Sequence, residues 1–352
     1  MVAQALRQPL VFFRGRSRPG LLPLLGSALV LLLLVWLGEN LARTPSQFYD
    51  LFLIGLTNGA VYGLIALGYT LVYGILELIN FAHGDVFMLG GMMTATLIGT
   101  FSLDPNTSAI VLWPTVLLIL VVAMAFCGAL NGTIELVAYR RLRGAPRLAP
   151  LITAIGVSFI LQNTGLVWKG ERPVSLPAIL PRGAVFTISG VAYTWDKLIV
   201  LLITVPVLLG LIWLVQRTRQ GKAMRATAQD REAAAMMGIN VNRTISFTFL
   251  LAGCLAGVAG LIYASYNTNI SFQEGFRVGL IAFTAAVLGG IGNLPGAVLG
   301  ALLIGLIESF NNGLSWHSPG SNWTQSIIFS VLILILVFRP EGLLGARTPE
   351  GG

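Results

Sequence analysis

Long apolar runs alternate with short polar connectors along this chain. The runs fall near residues 21–37, 51–75, 84–101, 111–138, 150–168, 197–216, 244–266, 279–309 and 323–338. A helix needs ~20 apolar residues to cross a hydrocarbon layer ~30 Å thick. None of the runs alternates with period two, as the strands of a membrane barrel do. The pattern predicts an all-α polytopic membrane protein.

One run differs from the rest. Residues 279–309 carry the sequence GGIGNLPG at 289–296. Glycine supplies backbone angles that other residues avoid, and Pro295 is well placed to start a helix. The run therefore predicts two short helices folded back on each other, a broken or re-entrant pair, which brings the total to about ten helices. At membrane depth such a break must pack in protein or line a cavity.

The connectors sort by charge. Sixteen of the 22 basic residues fall on one side: Arg7, Arg14, Arg16, Arg18, then Arg140, Arg141, Arg143, Arg147, then Arg217, Arg219, Lys222, Arg225, Arg231, Arg243, and finally Arg339 and Arg347. Arg43, Lys169, Arg172, Arg182, Lys197 and Arg277 fall on the other. The positive-inside rule makes the richer side cytoplasmic. Parity then agrees with two crossings over 279–309. The formal charge of +8 is thereby topological and calls for no nucleic acid partner. A soluble domain carries about 25% charged residues; this chain has 10%, with 55% hydrophobic residues and a mean hydropathy of +0.82.

Three segments follow from this: a cytoplasmic arm at 1–20, a membrane domain at 21–338 and a cytoplasmic tail at 339–352. The arm and first run resemble a signal peptide, but no small-x-small cleavage site follows, so an uncleaved span is expected. Both termini are placed in the cytoplasm. The membrane domain is interrupted by the loop 217–243. Within it Asp230 is set to cap a helix at 231–237 that ends on Gly238 in the left-handed conformation. Ala233, Ala234, Ala235, Met236 and Met237 give that helix a small apolar surface. Either it is a docking face, for which methionine is adaptable, or the segment is only a solvated basic loop.

Polar residues at or within the spans are functional candidates. Asn80, His83 and Asp85 follow one span and open the next; helix capping near the interface is the simpler account of them. Glu77 is a packing or pathway residue. Glu135 is expected to pair with Arg140 and Arg141, and Glu308 to be solvated near the outer face. Thr57, Asn58, Tyr62, Tyr69 and the break at Gly289, Gly290, Gly292 and Asn293 are further candidates for the pathway lining. Cys127 and Cys254 read as core residues. Two histidines, His83 and His317, lie far apart, and no metal site or acid–base pair is expected.

Four motifs carry a resemblance. GKAMRATAQD at 221–230 followed by AMMGIN at 235–240 resembles the coupling loop of ABC-importer permeases. INFAHGDVFMLGG at 79–91, GLTNGAVYGLIALGYTLVYG at 55–74 and AVLGGIGNLPGAVLG at 286–300 are similar to the LivH-type branched-chain amino acid permease family. The likeness covers about residues 50–340. It implies a type II ABC importer-like permease of the bacterial inner membrane. It further implies two ATPase subunits that use ATP and magnesium, a second homologous permease and a periplasmic substrate-binding protein. No cofactor is then held by this chain. Gly221, Arg225, Asp230, residues 233–237 and Gly238 become the ATPase-coupling residues. The implied cargo is a branched-chain or other small amino acid, with urea or a short amide as the alternative within the family. There is no G-x-x-x-x-G-K-[ST] stretch, so ATP hydrolysis falls to the partners. A secondary carrier or channel working without ATP is the competing class. Ion coupling predicts a charge at the centre of a broken helix, and 279–309 has none there.

Overall fold

The computed structural model describes residues 21–76, 80–146, 148–188, 190–339 and 341–345. The expectations for the arm 1–20 and for Glu77 lie outside these. Twelve α-helices occur among the described residues: α1 Leu21–Arg43, α2 Pro45–Leu76, α3 Ala82–Thr100, α4 Ala109–Ile134, α5 Leu148–Lys169, α6 Trp195–Arg217, α7 Arg219–Gln229, α8 Arg231–Met236, α9 Val241–Asn267, α10 Glu274–Gly289, α11 Leu294–Gly313 and α12 Thr324–Phe338. Among the described residues, seven helical segments are long and apolar enough to cross a membrane. The ten helices of the apolar pattern are α1–α6 and α9–α12; α7 and α8 lie in the 217–243 loop.

Four short strands mark one end of the bundle. β2 Ala184–Ile188 and β3 Val191–Thr194 form a hairpin, and β1 Val174–Ser175 pairs antiparallel with β4 Asn269–Ile270. The opposite, basic end carries α7, α8 and the segment 140–146.

Burial separates inner from outer helices. The most apolar stretches of α2 and α9 are 67% and 72% buried, against 17% in α6 and 11% in the α12 segment. Small residues allow this close centre. A Cβ on Gly59 would stand 2.6 Å from the Leu302 Cα, and one on Gly305 2.4 Å from the Gly55 carbonyl oxygen. Gly253 and Gly257 let α9 meet the α4 backbone in the same way.

The 279–309 run folds as the pattern requires. α10 and α11 pair antiparallel, with Gly289 against Gly296 and Gly300 against Ala285. Gly290 and Gly292 take φ of 105° and 90° in the turn. The turn sits at the basic end and not at mid-depth. There the tail covers it: Leu343 and Leu344 donate to the Leu288 and Gly289 carbonyls at 2.9 and 3.0 Å, and Asn293 Nδ2 donates to the Leu344 carbonyl at 2.7 Å. Residues 341–345 are thus a docked strap closing the turn.

Candidate functional site

The loop between α6 and α9 is built by successive caps. Thr218 leaves the helical region, and its hydroxyl accepts the Gly221 amide at 3.0 Å, starting α7. Gly221 is buried against α6; a Cβ there would stand 2.2 Å from the Val215 carbonyl oxygen. Arg225 donates to that same carbonyl. So Gly221 and Arg225 fold α7 back onto the end of α6. Met224 and Thr227 are buried with Gly221, a three-residue spacing that gives α7 one inward face.

Asp230 ends α7 and begins α8. Its carboxylate accepts the Glu232 and Ala233 amides at 2.8 and 2.9 Å. At the other end Ile239 N donates to Ala234 and Gly238 N to Ala235, both at 3.0 Å, with Gly238 at φ 81°. This pair of bonds is a Schellman closure. The helix expected at 231–237 is therefore present, ending at Met236 with Met237 as its cap. Its exposed surface is narrower than the alanine run implied. Ala234 is 4% exposed and turned inward, whereas Met236 and Met237 are 81% and 83% exposed; Ala233 is half-buried and Ala235 exposed.

Arg231, at the first position of α8, reaches across the bundle. Its Nη2 donates to the Ile75 and Leu76 carbonyls at 3.3 and 3.1 Å. These belong to the last turn of α2, whose carbonyls have no intrahelical partner. α8 is thus tied to the central helix as well as to its chain neighbours.

Asn80, His83 and Asp85 are all buried. None caps α3: Phe81 holds the N-cap position without a side-chain bond. Asn80 Oδ1 accepts the Tyr139 hydroxyl at 2.8 Å. Asp85 accepts the Ser158 hydroxyl of α5, which is backed by Gln162 at 3.1 Å. His83 lies edge-on to Tyr69, ring centroids 4.9 Å apart.

Glu135 is fully buried and opens a π-helical turn, Glu135–Tyr139. It pairs with Arg140 and Arg143, and accepts the Ser246 hydroxyl of α9 at 2.7 Å. Arg143 takes the place expected of Arg141. The π turn adds a residue to the local repeat, so positions five and eight along, rather than four and seven, return to the Glu135 face.

Thr57 is buried and bonds its own helix at Leu53; Asn58 is half-buried. Tyr62 donates to Glu308 Oε2 at 2.6 Å. Glu308 is 8% exposed and is not solvated as expected, because α11 is drawn against α2 by the glycine contacts. Gly290, Gly292 and Asn293 lie in the strapped turn, and Gly289 packs on Gly296. Gly292 and Asn293 border a cavity of about 780 Å³ whose other walls include Thr70, Gly74, Met224 and Arg225.

The arrangement is a glycine-packed helical bundle with a bare, doubly capped helix at its basic end. A model of the family described as "Branched-chain amino acid transport system / permease component" matches residues 51–337. The chain belongs to this family. The permease is 40% identical over 306 residues to the high-affinity branched-chain amino acid transport system permease protein BraD of Pseudomonas aeruginosa, covering 84% of this chain and 95% of that one. It is 37% identical over 299 residues to the corresponding LivH protein of Escherichia coli K12, with the same coverages. The solved structure of PsaBC from Streptococcus pneumoniae in complex with Fab is a looser match, with a TM-score of 0.44 and 15% identity over 88% of this chain and 97% of that chain.

The sequence reading also missed the Arg231 tie to α2, the Ser158–Gln162 support of Asp85, and Asn131 of the permease, which donates to the Phe249 carbonyl at 2.6 Å. Ser158 and Gln162 sit four apart on one helix face, a spacing that offers a signal. The Arg231 bond joins residues 156 positions apart and has no local signature.

Proposed function

We propose that this permease is the membrane-spanning subunit of an ATP-driven importer of branched-chain or other small amino acids. The observation that carries this reading is α8: a capped helix with Met236 and Met237 bare, tied by Arg231 to α2. Exposed methionines on a rigid helix suit insertion into a groove of a partner. In this reading the groove belongs to one of two ATPase subunits, which hydrolyse ATP. A second homologous permease and a periplasmic binding protein complete the assembly. The names of the BraD and LivH relatives support the cargo class. The basic end faces the cytoplasm of the bacterial inner membrane, as the distribution of arginine requires.

This reading takes the coupling route beyond the helices flanking the loop, with the Arg231 bonds to α2 as its support. Closure of the ATPases moves α8; α7 passes the displacement to α6, and Arg231 passes it directly to α2. Asn58, Tyr62 and Tyr69 on α2, with Asn80, His83 and Asp85 beside it, are the candidates for lining or shaping the pathway. The cavity bounded by Gly292 and Asn293 lies at its inner end.

Reconstitution in liposomes tests the reading. The permease, its partner permease, both ATPases and the binding protein should accumulate leucine only with ATP inside. Equal uptake by the permeases without ATPase subunits would make the protein a carrier or channel. Competition by isoleucine and valine, and its absence with urea, would fix the cargo class.

A further inference from the structure

A smaller cavity, of about 330 Å³, lies at the basic end. It is bounded by the last turn of α2 at Ile75 and Leu76, by the segment 140–146, by Pro150 of α5 and by the junction of α7 and α8. Four side chains make up its polar wall: Arg143, Thr227, Gln229 and Arg231.

Arg143 is unlike a solvated connector arginine, because its side chain is 14% exposed. Nη1 donates to Asn242 Oδ1 at 2.5 Å and Nη2 to Glu135, which leaves Nε buried without a hydrogen-bond partner. Arg231 uses only Nη2, on the carbonyls of Ile75 and Leu76. Its Nε and Nη1 have no partner among the described residues, and it enters none of the ion pairs there. Thr227 is 1% exposed, and its hydroxyl bonds nothing. Buried polar groups are normally satisfied. Of the carboxylates among the described residues, only Glu135 pairs with either arginine, and Arg140 shares it. Asp230, between Gln229 and Arg231, turns its carboxylate to the α8 amides instead. Two guanidiniums, a hydroxyl and an amide thus meet around one space with donors to spare and positive charge in excess.

We propose that this cavity binds a phosphate group, held by Arg143 and Arg231 with Thr227 and Gln229 as further donors. The site goes beyond the importer reading and does not depend on it. A guanidinium matches a phosphate in shape and charge, and charge-assisted bonds are the strong ones. Leu142 ends one membrane-crossing segment and Leu148 begins the next. That puts the cavity at head-group depth, where basic pockets between helices hold anionic lipids. Free phosphate in the solution at that end carries the same chemistry. Once bound, the group joins α8 to the segment 140–146, a second tie beside the Arg231 bonds to α2.

The test uses the full-length permease in nanodiscs with two probes. Radiolabelled inorganic phosphate is titrated onto the permease in phosphatidylcholine nanodiscs. In nanodiscs that also contain phosphatidylglycerol, native mass spectrometry counts the anionic lipid retained on the released protein. The wild type should bind phosphate saturably or retain phosphatidylglycerol over phosphatidylcholine. Phosphate binding that disappears in the phosphatidylglycerol discs, or retention of that lipid alone, makes a lipid the source of the group; phosphate binding that persists there makes the source soluble. Arg231→Gln should weaken the bound probe about tenfold or more. Thr227→Val and Arg143→Lys should each weaken it severalfold, and both are conservative enough to fold; Arg143→Lys keeps a charge beside Glu135 and removes only the guanidinium. Arg219→Gln alters an exposed arginine outside the cavity and should change nothing. An equal loss in Arg219→Gln, or unaltered binding in Thr227→Val and Arg143→Lys, overturns the site. Failure of the wild type to take up either probe overturns it too. Glu77 follows Leu76 in the sequence, and phosphate binding by Glu77→Gln but not by the wild type would make that carboxylate the cavity's own anion and reject the proposal.

Discussion

Two turns at the basic end use the same chemistry and reach opposite outcomes. α8 is capped by Asp230 and closed by Gly238; α11 is capped by Asn293, which accepts the Gly296 amide at 3.0 Å, after Gly290 and Gly292. Around Gly238 nothing lies within 4 Å of an added Cβ. Around Gly290 the tail is so close that a Cβ would meet the Gly345 backbone nitrogen at 2.4 Å. The end of α8 is left open with two methionines bare. The other turn is sealed by the chain's own residues 341–345. An Asx cap and a positive-φ glycine therefore fix the local shape, and the presence or absence of a covering segment decides whether that shape is left bare, as the proposed docking face is, or sealed as a joint.

The comparison is broken most severely by charging the open face. Met236→Asp with Met237→Asp should leave the permease in the membrane and reduce co-purifying ATPase at least tenfold, read on a gel of the purified complex. Normal ATPase yield would remove α8 from the coupling role. The sealed turn is tested by Gly342→Val. Gly342 has φ 76°, and a Cβ would stand 2.5 to 2.7 Å from Gly290 and the Val287 carbonyl oxygen. Overpacking costs about 1–3 kcal/mol and the left-handed conformation about 1–2 kcal/mol more, so the unfolding temperature in detergent should fall by several degrees. Gly238→Val meets open space and carries only the backbone cost, so its drop should be clearly smaller. Equal drops would mean the strap does not press on the turn.

Smaller effects sharpen the picture. Arg231→Ala leaves two carbonyls of α2 without their donor, a loss of about 1–3 kcal/mol. ATP hydrolysis should persist while leucine uptake falls severalfold, and intact uptake would restrict coupling to α6 and α9. Asp230→Ala should cost about 1 kcal/mol, the usual value of an N-cap, visible as faster amide exchange at residues 232 and 233.

The spans and the charge asymmetry of the connectors were legible because both are local and cumulative. The α8 cap was legible too, since Asp230 and Gly238 lie at a spacing that a helix dictates. What stayed hidden depended on packing. Ala234 and Met236 look alike as apolar residues in a loop, and only the contact with the bundle decides which one is turned in. The pairing of Tyr62 with Glu308 spans 246 positions. Gly55 and Gly59 leave room for a neighbouring helix, but nothing near them in the sequence says that α11 is the one to bring a carboxylate with it. The shift from Arg141 to Arg143 followed from a π turn for which the sequence offers no plain marker.

One feature bears on how force travels. α4 and α6 carry interior prolines, Pro114 and Pro206, and proline softens or bends a helix. α2 has proline only at its first position, and much of its interior is clamped on all sides. Arg231 grips one end of this rod. Tyr62 stands fourteen residues away, about 21 Å along the axis at 1.5 Å per residue. Between them α2 has no proline, so in the proposed coupling a shift of α8 reaches Tyr62 along one proline-free, buried helix. In mechanical terms the proposed drive at the basic end acts on a helix that runs through the centre of the bundle, not on one at its rim.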